Sequence, residues 1–232
     1  MKNQILAAGV AVLALATAGQ AATVIYTSGT VGPLNTSFTN VPLNLQQFDP
    51  TLGTLTGISI TLNGSVNSTI RFESLDGQPS TIVGTSAATV TLSRPGGSPI
   101  VVTLPTQTRT ANVAAFDGTI DFGGASGATF SDVIGTQSET AVLTSAGDFA
   151  LFTGTGFVAA LLSATGNSSV SGAGNLISQI ATQASGQASI TYTYDALVDN
   201  GVPEPMSWAM MTGGFALIGG ALRRQRTRVR FA

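Results

Sequence analysis

From Thr23 to Tyr194 the chain runs in short stretches rich in Val, Ile, Thr, Phe and Leu, broken by Gly, Asn, Asp, Ser and Pro. In Leu55 to Leu62 the apolar residues Ile58, Ile60 and Leu62 alternate with Ser59 and Thr61, and Asn63-Gly64 then signals a turn. A period of two puts alternate side chains on opposite faces of an extended chain, so this reads as a strand with one buried and one wet face. Further strands are expected near Val24 to Thr27, Leu43 to Phe48, Ser68 to Glu73, Ala88 to Leu92, Ile100 to Leu104, Phe149 to Leu162 and Ala188 to Tyr194. Long amphipathic helical patterns are missing. Many short strands without helices predict an all-β domain over residues 22–199, a β-sandwich of antiparallel strands.

The two ends follow other patterns. Lys2, an uncharged run from Ile5 to Ala18, then Gly19, Gln20, Ala21 and Ala22 have the order of a charged region, an apolar region and a small-residue cleavage site. Residues 1–21 are therefore expected to be a signal peptide cut after Ala21, with Ala18 or Ala22 as the alternative positions. At the other end, residues 200–205 form a linker whose prolines, Pro203 and Pro205, exclude regular structure. Residues 206–222 carry no charge. As a helix they would cover about 25 Å, the lower limit for a hydrocarbon core, and this segment is expected to be a transmembrane helix. The tail 223–232 carries Arg223, Arg224, Arg226, Arg228 and Arg230, which would hold the C-terminus on the cytoplasmic side and leave the domain outside. A permanent membrane anchor is the alternative at either end.

Val202-Pro203-Glu204-Pro205, then Trp208-Ala209, a glycine-rich apolar segment and Arg223-Arg224 together resemble a PEP-CTERM sorting signal, in the variant where Trp-Ala follows the tripeptide by two residues. The resemblance covers about the last 30 residues. It implies recognition by exosortase, an integral membrane protease that cuts near the tripeptide and passes the protein to the cell surface. Leu45-Gln46-Gln47-Phe48-Asp49-Pro50 with Leu52-Gly53-Thr54-Leu55, the turn Phe152-Thr153-Gly154-Thr155-Gly156, and Ile190-Thr191-Tyr192-Thr193-Tyr194 resemble a second family, the choice-of-anchor E domain. That likeness implies a secreted bacterial β domain and names no activity.

Composition narrows the chemistry. The 232 residues include no Cys and no His, which removes disulfides, thiolate and imidazole metal ligands, and every mechanism with a histidine base. Between Thr23 and Val202 three arginines (Arg71, Arg94, Arg109) face ten acidic residues, so the domain is acidic and unsuited to nucleic acid. Asp117 with Asp121, or Asp195 with Asp199, could serve as a glycosidase pair; solvated turn residues are the plainer reading. Asp117, Asp121 and Asp132, around a Gly-rich segment, are candidate calcium ligands without the regular spacing of a calcium loop. Gly154-Thr155-Gly156 lacks the further glycine, helix and acidic residue of a dinucleotide site and reads as a bend. Tyr192 and Tyr194, two apart on one strand face, are candidate sugar-stacking residues, with a half-buried aromatic pair as the alternative.

These readings point to an exported, non-enzymatic structural or matrix protein on the cell surface, without cofactor. Its expected partners are signal peptidase and the translocon, an exosortase-like membrane protease, the inner membrane during a transient single-pass stage, and exopolysaccharide. A polysaccharide-binding module is the alternative, and a glycosidase the weaker one.

Overall fold

A computed structural model describes residues 21–197 and 205–225. The chain divides into two compact units at Ala196/Leu197. In the first unit eleven antiparallel strands form two sheets, as the alternation predicts: β1 (Ala21–Thr27), β2 (Val31–Asn35), β3 (Phe38–Gln46), β4 (Gly53–Ser74), β5 (Ser80–Ser93), β6 (Pro99–Thr103), β7 (Thr106–Val113), β8 (Gly127–Leu143), β9 (Phe157–Gly166), β10 (Ser169–Ser171) and β11 (Leu176–Ala196). One sheet runs β1-β11-β4-β8, with β2 continuing the β1 edge of β11. The other runs β10-β5-β9-β3, with β6 and β7 also paired to β5.

Several elements depart from expectation. Asn63-Gly64 is no turn but lies within the unbroken 22-residue strand β4, where Gly64 pairs with Gly186 of β11. A Cβ on Gly64 would collide with Thr103 Oγ1, and one on Gly186 would come within 2.9 Å of Leu162 Cδ2. The glycine pair thus lets the opposite sheet approach closely, and close packing outweighs turn propensity. The expected strand from Phe149 begins instead as helix α1 (Ala146–Phe152), whose N-cap Ser145 accepts from the Asp148 N–H, and β9 starts only at Phe157. β7 and β8, rich in Thr and Gln on their wet faces, gave no apolar run to notice.

Two apolar clusters fill the sandwich. The larger gathers Ile58, Ile60 and Leu62 of β4, Val90 and Leu92 of β5, Leu162 of β9 and Ile190 of β11; the smaller gathers Phe72, Ile82 and Val113. Between Val66 and Ile70 on β4 lies buried Ser68, whose Oγ bonds Ser86 (2.7 Å), Thr182 (3.0 Å) and Ser168 (3.1 Å). These hydroxyls satisfy one another, which offsets the cost of placing them inside the sandwich.

Gly135 of β8 marks a second close approach, since a Cβ there would lie 2.6 Å from the carbonyl carbon and 2.9 Å from the nitrogen of Thr106. Gly→Ala at an unstrained site normally stabilises by about 0.4–1 kcal/mol through the unfolded chain. Here rigid backbone blocks the methyl, so Gly135→Ala should instead destabilise by about 1–3 kcal/mol. Urea unfolding should show a lower midpoint with an unchanged slope; an unchanged or higher midpoint would refute the contact.

In the second unit the expected helix is present as α2 (Pro205–Gln225), with proline at its first position. The transmembrane assignment of 206–222 is corrected: no helix among the described residues is long and apolar enough to cross a membrane. Ser207, Thr212 and the pairs Gly213-Gly214 and Gly219-Gly220 dilute the segment, and the arginines follow directly after Leu222. Its apolar side chains nevertheless stand exposed, Met210 at 80% and Leu217 at 77%.

Candidate functional site

Tyr192 and Tyr194 form no platform. Both project inward: Tyr192 is fully buried and Tyr194 packs half-buried against the main cluster. The Tyr192 hydroxyl donates to the Gln46 carbonyl at 2.7 Å, and burial pushes its pKa up. The three segments that suggested the choice-of-anchor E likeness converge here. Phe48 lies 5.6 Å from Tyr192 and 5.1 Å from Tyr194 between ring centroids. Gln47 Nε2 donates to the Leu151 carbonyl at 2.9 Å, and its Oε1 accepts from the Gly156 N–H at 3.1 Å. Gly154, at φ +154°, makes the bend against that side chain, where a Cβ would lie 2.6 Å from Gln47 Oε1. This cluster closes one part of the sandwich and exposes no reactive group.

Most carboxylates in the domain are occupied in holding loops. Buried Glu73 accepts from the Phe122 N–H (2.8 Å) and Ser126 Oγ (2.6 Å). Asp117 accepts from the N–H groups of Thr119 and Ala125, which hold its pKa below the usual range. Asp121 accepts from Gly123, and Asp76 from Gly174 and Asn175. Asp148 binds Arg94. The calcium candidates are not gathered: Asp117 and Asp121 serve their own loop, whereas Asp132 belongs to β8. Among the described residues no group of three His, Cys, Asp or Glu could hold a metal ion. Of the proposed glycosidase pairs, Asp195 is the second-last residue of β11 and pairs with Ala21, and Asp199 lies outside the described residues.

Asp132 does take part in a site that the sequence did not reveal. Along β8, Ser68 pairs with Val133 but Ile70 pairs with Phe130, so Ser131 and Asp132 together oppose Thr69 as a β-bulge. The bulge puts Asp132 at φ 52°, a conformation that few residues other than Gly adopt. There its Oδ1 accepts from Asn67 Nδ2 at 3.2 Å. Asn67, Thr69, Ala181 and Gln183, outward-facing residues of β4 and β11, line a hollow of about 260 Å³ with Asp132 and with Asn35 at the end of β2. Asn67 Oδ1 is buried without a hydrogen-bond partner. Gln183 Nε2 donates to Asn35 Oδ1 at 3.1 Å. A second hollow, of about 410 Å³, shares Asn35 and Ala181 and includes Thr36, Ser168 and Thr182.

The topology explains this groove. β2 pairs with β11 only as far as Asn35↔Gln183, and then Thr36 bonds the Thr182 carbonyl through both its N–H (3.0 Å) and Oγ1 (3.2 Å). The chain next enters β3 in the other sheet, while β11 continues back to Leu176. The departure of β2 leaves the hollow beside β11.

Of the sorting residues, Trp208 and Ala209 lie in α2 and are exposed. Pro205 starts that helix, and Arg223 and Arg224 lie in its last turn. Val202, Pro203, Glu204, Arg226, Arg228 and Arg230 lie outside the described residues, as do residues 1–20 of the signal peptide. Ala21 and Ala22, at the expected cleavage point, open β1 opposite Asp195 and Tyr194.

No family model and no curated protein matches the chain. Among solved structures, the chain is similar to the VP2 subviral particle of infectious bursal disease virus at 14% identity with a TM-score of 0.25, covering 83% of this chain and 42% of that one. T=1 particles derived from the same virus match at 14% identity and a TM-score of 0.22, over 76% of this chain and 36% of theirs. The Gt strain structure matches at 16% identity and a TM-score of 0.13, over 89% of this chain and 51% of that one. The chain thus spans about half or less of these capsid proteins.

Proposed function

We propose that this chain is an exported, surface-sorted, non-enzymatic structural protein that associates with exopolysaccharide. Residues 1–21 direct export, and a membrane protease of the exosortase kind recognises the tail and cuts near Pro203-Glu204-Pro205. The observation that carries this reading is α2, which leaves Trp208, Met210, Phe215, Leu217 and Ile218 exposed directly ahead of the arginines. A run of exposed large apolar side chains on one helix calls for an apolar partner. Its paired glycines, Gly213-Gly214 and Gly219-Gly220, have nothing among the described residues packed against them and offer flat positions for close contact with a partner. The engagement of most carboxylates in loop and helix construction supports the non-enzymatic reading. A polysaccharide-binding module is the second reading, favoured by the groove at Asp132.

Fractionation of the native host with mass spectrometry of the mature termini tests the proposal. The surface form should begin at Ala22 and end near Pro205. It would then lack Trp208, the only tryptophan, and fluoresce from Tyr26, Tyr192 and Tyr194 alone. Replacing Pro203-Glu204-Pro205 with alanines should leave the precursor uncut. Intact Trp208 in the surface fraction would refute processing, and a cytosolic chain still carrying Met1 would refute export.

A further inference from the structure

We propose that the groove beside Asp132 binds an uncharged glycan chain through its hydroxyl groups; this deepens the proposed association with exopolysaccharide. The first argument is hydrogen-bond valence. Asn67 must turn its Nδ2 toward Asp132, which leaves Oδ1 as a buried acceptor without a donor. Gln183 spends an amide N–H on Asn35 Oδ1, leaving its own Oε1 as an acceptor and the Asn35 Nδ2 as a donor. Asp132 and Thr69 line the same hollow, so residues that donate and residues that accept hydrogen bonds stand side by side in its wall. A ligand that satisfies such a wall must donate and accept at neighbouring atoms, as the vicinal hydroxyls of a sugar do.

Charge selects among the alternatives. No Lys or Arg lines either hollow, and Arg71, the next outward residue of β4 after Thr69, lies outside the lining. An anionic glycan would meet the Asp132 carboxylate uncompensated. Calcium takes 6–8 oxygen ligands, commonly from several carboxylates, and this wall supplies one carboxylate. The backbone also points to a ligand. The left-handed bulge residue is a carboxylate that lines a polar hollow without an ion pair among the described residues. The second hollow continues past Ala181 toward Thr182 and Ser168, which suits a chain rather than a single sugar. No aromatic residue lines either hollow, so binding rests on hydrogen bonds and should be weak, with Kd of about 0.1–1 mM.

The test uses the full chain in a detergent without a sugar headgroup. Cello-, manno-, xylo- and galacto-tetraose, tetragalacturonate and calcium chloride are tested separately by saturation-transfer NMR, calorimetry and thermal melting. At least one neutral tetrasaccharide should bind, and tetragalacturonate should bind more weakly. Ala181→Trp fills both hollows from an exposed position, and Asp132→Asn keeps a residue that tolerates positive φ while removing the charge. Each should weaken binding by about tenfold or more with an unchanged far-UV spectrum. Asp132→Asn provides the test if the tryptophan disturbs folding. Failure of every neutral tetrasaccharide, binding that survives both substitutions, preference for tetragalacturonate, or stabilisation by calcium that Asp132→Asn abolishes would each overturn the assignment. Sorting is read separately by host fractionation, so a glycan-binding protein that stays in the cytosol would break only the export proposal.

Discussion

Phe48→Ala should lower the stability of the domain by about 3–5 kcal/mol, the usual cost of truncating a buried ring. Phe48 has no exposed surface and tilts against both Tyr192 and Tyr194, while Tyr26 meets Tyr192 edge-on at 6.1 Å. Its backbone is tied as well: its N–H donates to the Phe152 carbonyl (2.8 Å) and its carbonyl accepts from the Gly154 N–H (2.9 Å). That staple to the α1–β9 bend prevents the site from collapsing onto the missing ring, which puts the cost toward the upper end of the range. For a domain of this size the melting temperature should fall by roughly 10 °C or more. The near-UV tyrosine band, which reports this cluster, should weaken in the folded state. Phe48→Leu, which keeps most of the volume, should cost less than half as much. An alanine variant melting within about 2 °C of the wild type would show that the cluster does not close the sandwich.

Phe48 also shows what could be read from the residues beforehand. Alternation in Leu55 to Leu62 and Ala88 to Leu92 marked strands, because a buried sheet face leaves a period-two record in the chain. The antiparallel sandwich followed. Strand length did not: Asn63-Gly64 carries a turn signal, but what it does depends on Thr103 and Val90 across the sandwich. Such a long-range contact leaves no local trace. α1 hid inside an apolar run because seven residues are too few to develop a helical period.

The groove was less legible still. Asp132 drew attention as an acid, but for calcium. Asn35, Asn67 and Gln183 are scattered over β2, β4 and β11 and become neighbours only through strand pairing. One local signal did exist. Phe130 and Val133 both face inward three positions apart, a break in the alternation that marks the bulge. Tyr192 and Tyr194 share a face as their spacing says, but spacing cannot decide whether that face is wet. The neighbouring apolar residues Ala188 and Ile190 have the same parity and carry that information.

The second large effect is expected at Arg94. Its guanidinium holds Asp148 in a two-pronged pair, Nε to Oδ1 at 2.6 Å and Nη2 to Oδ2 at 2.9 Å, and its Nη1 donates to the Pro99 carbonyl. Asp148 is 5% exposed and also accepts from Ser145 Oγ, so the pair ties α1 to the β5–β6 turn. Arg94→Ala strands a buried carboxylate and should cost about 3–5 kcal/mol. Asp148→Asn in the same background, which removes the stranded charge, should recover part of that loss. The hydrogen bond from Arg94 holds the Asp148 pKa below its ordinary value, with Ser145 assisting against the cost of burial. A carboxyl whose pKa is lower folded than unfolded takes up protons more readily when unfolded. Its contribution is therefore complete above the unfolded value of about 3.9 and is lost as the pH falls through the folded value. Urea midpoints of the wild type should drop between about pH 5 and pH 2, and Asp148→Asn should flatten that slope while lowering the midpoint at pH 7. If the single variant Asp148→Asn keeps the full wild-type acid dependence, the pair is not the acid-sensitive element, and Asp49 and Asp117, whose pKa values hydrogen bonds from Thr51 and from Thr119 and Ala125 also hold below the ordinary value, must carry it.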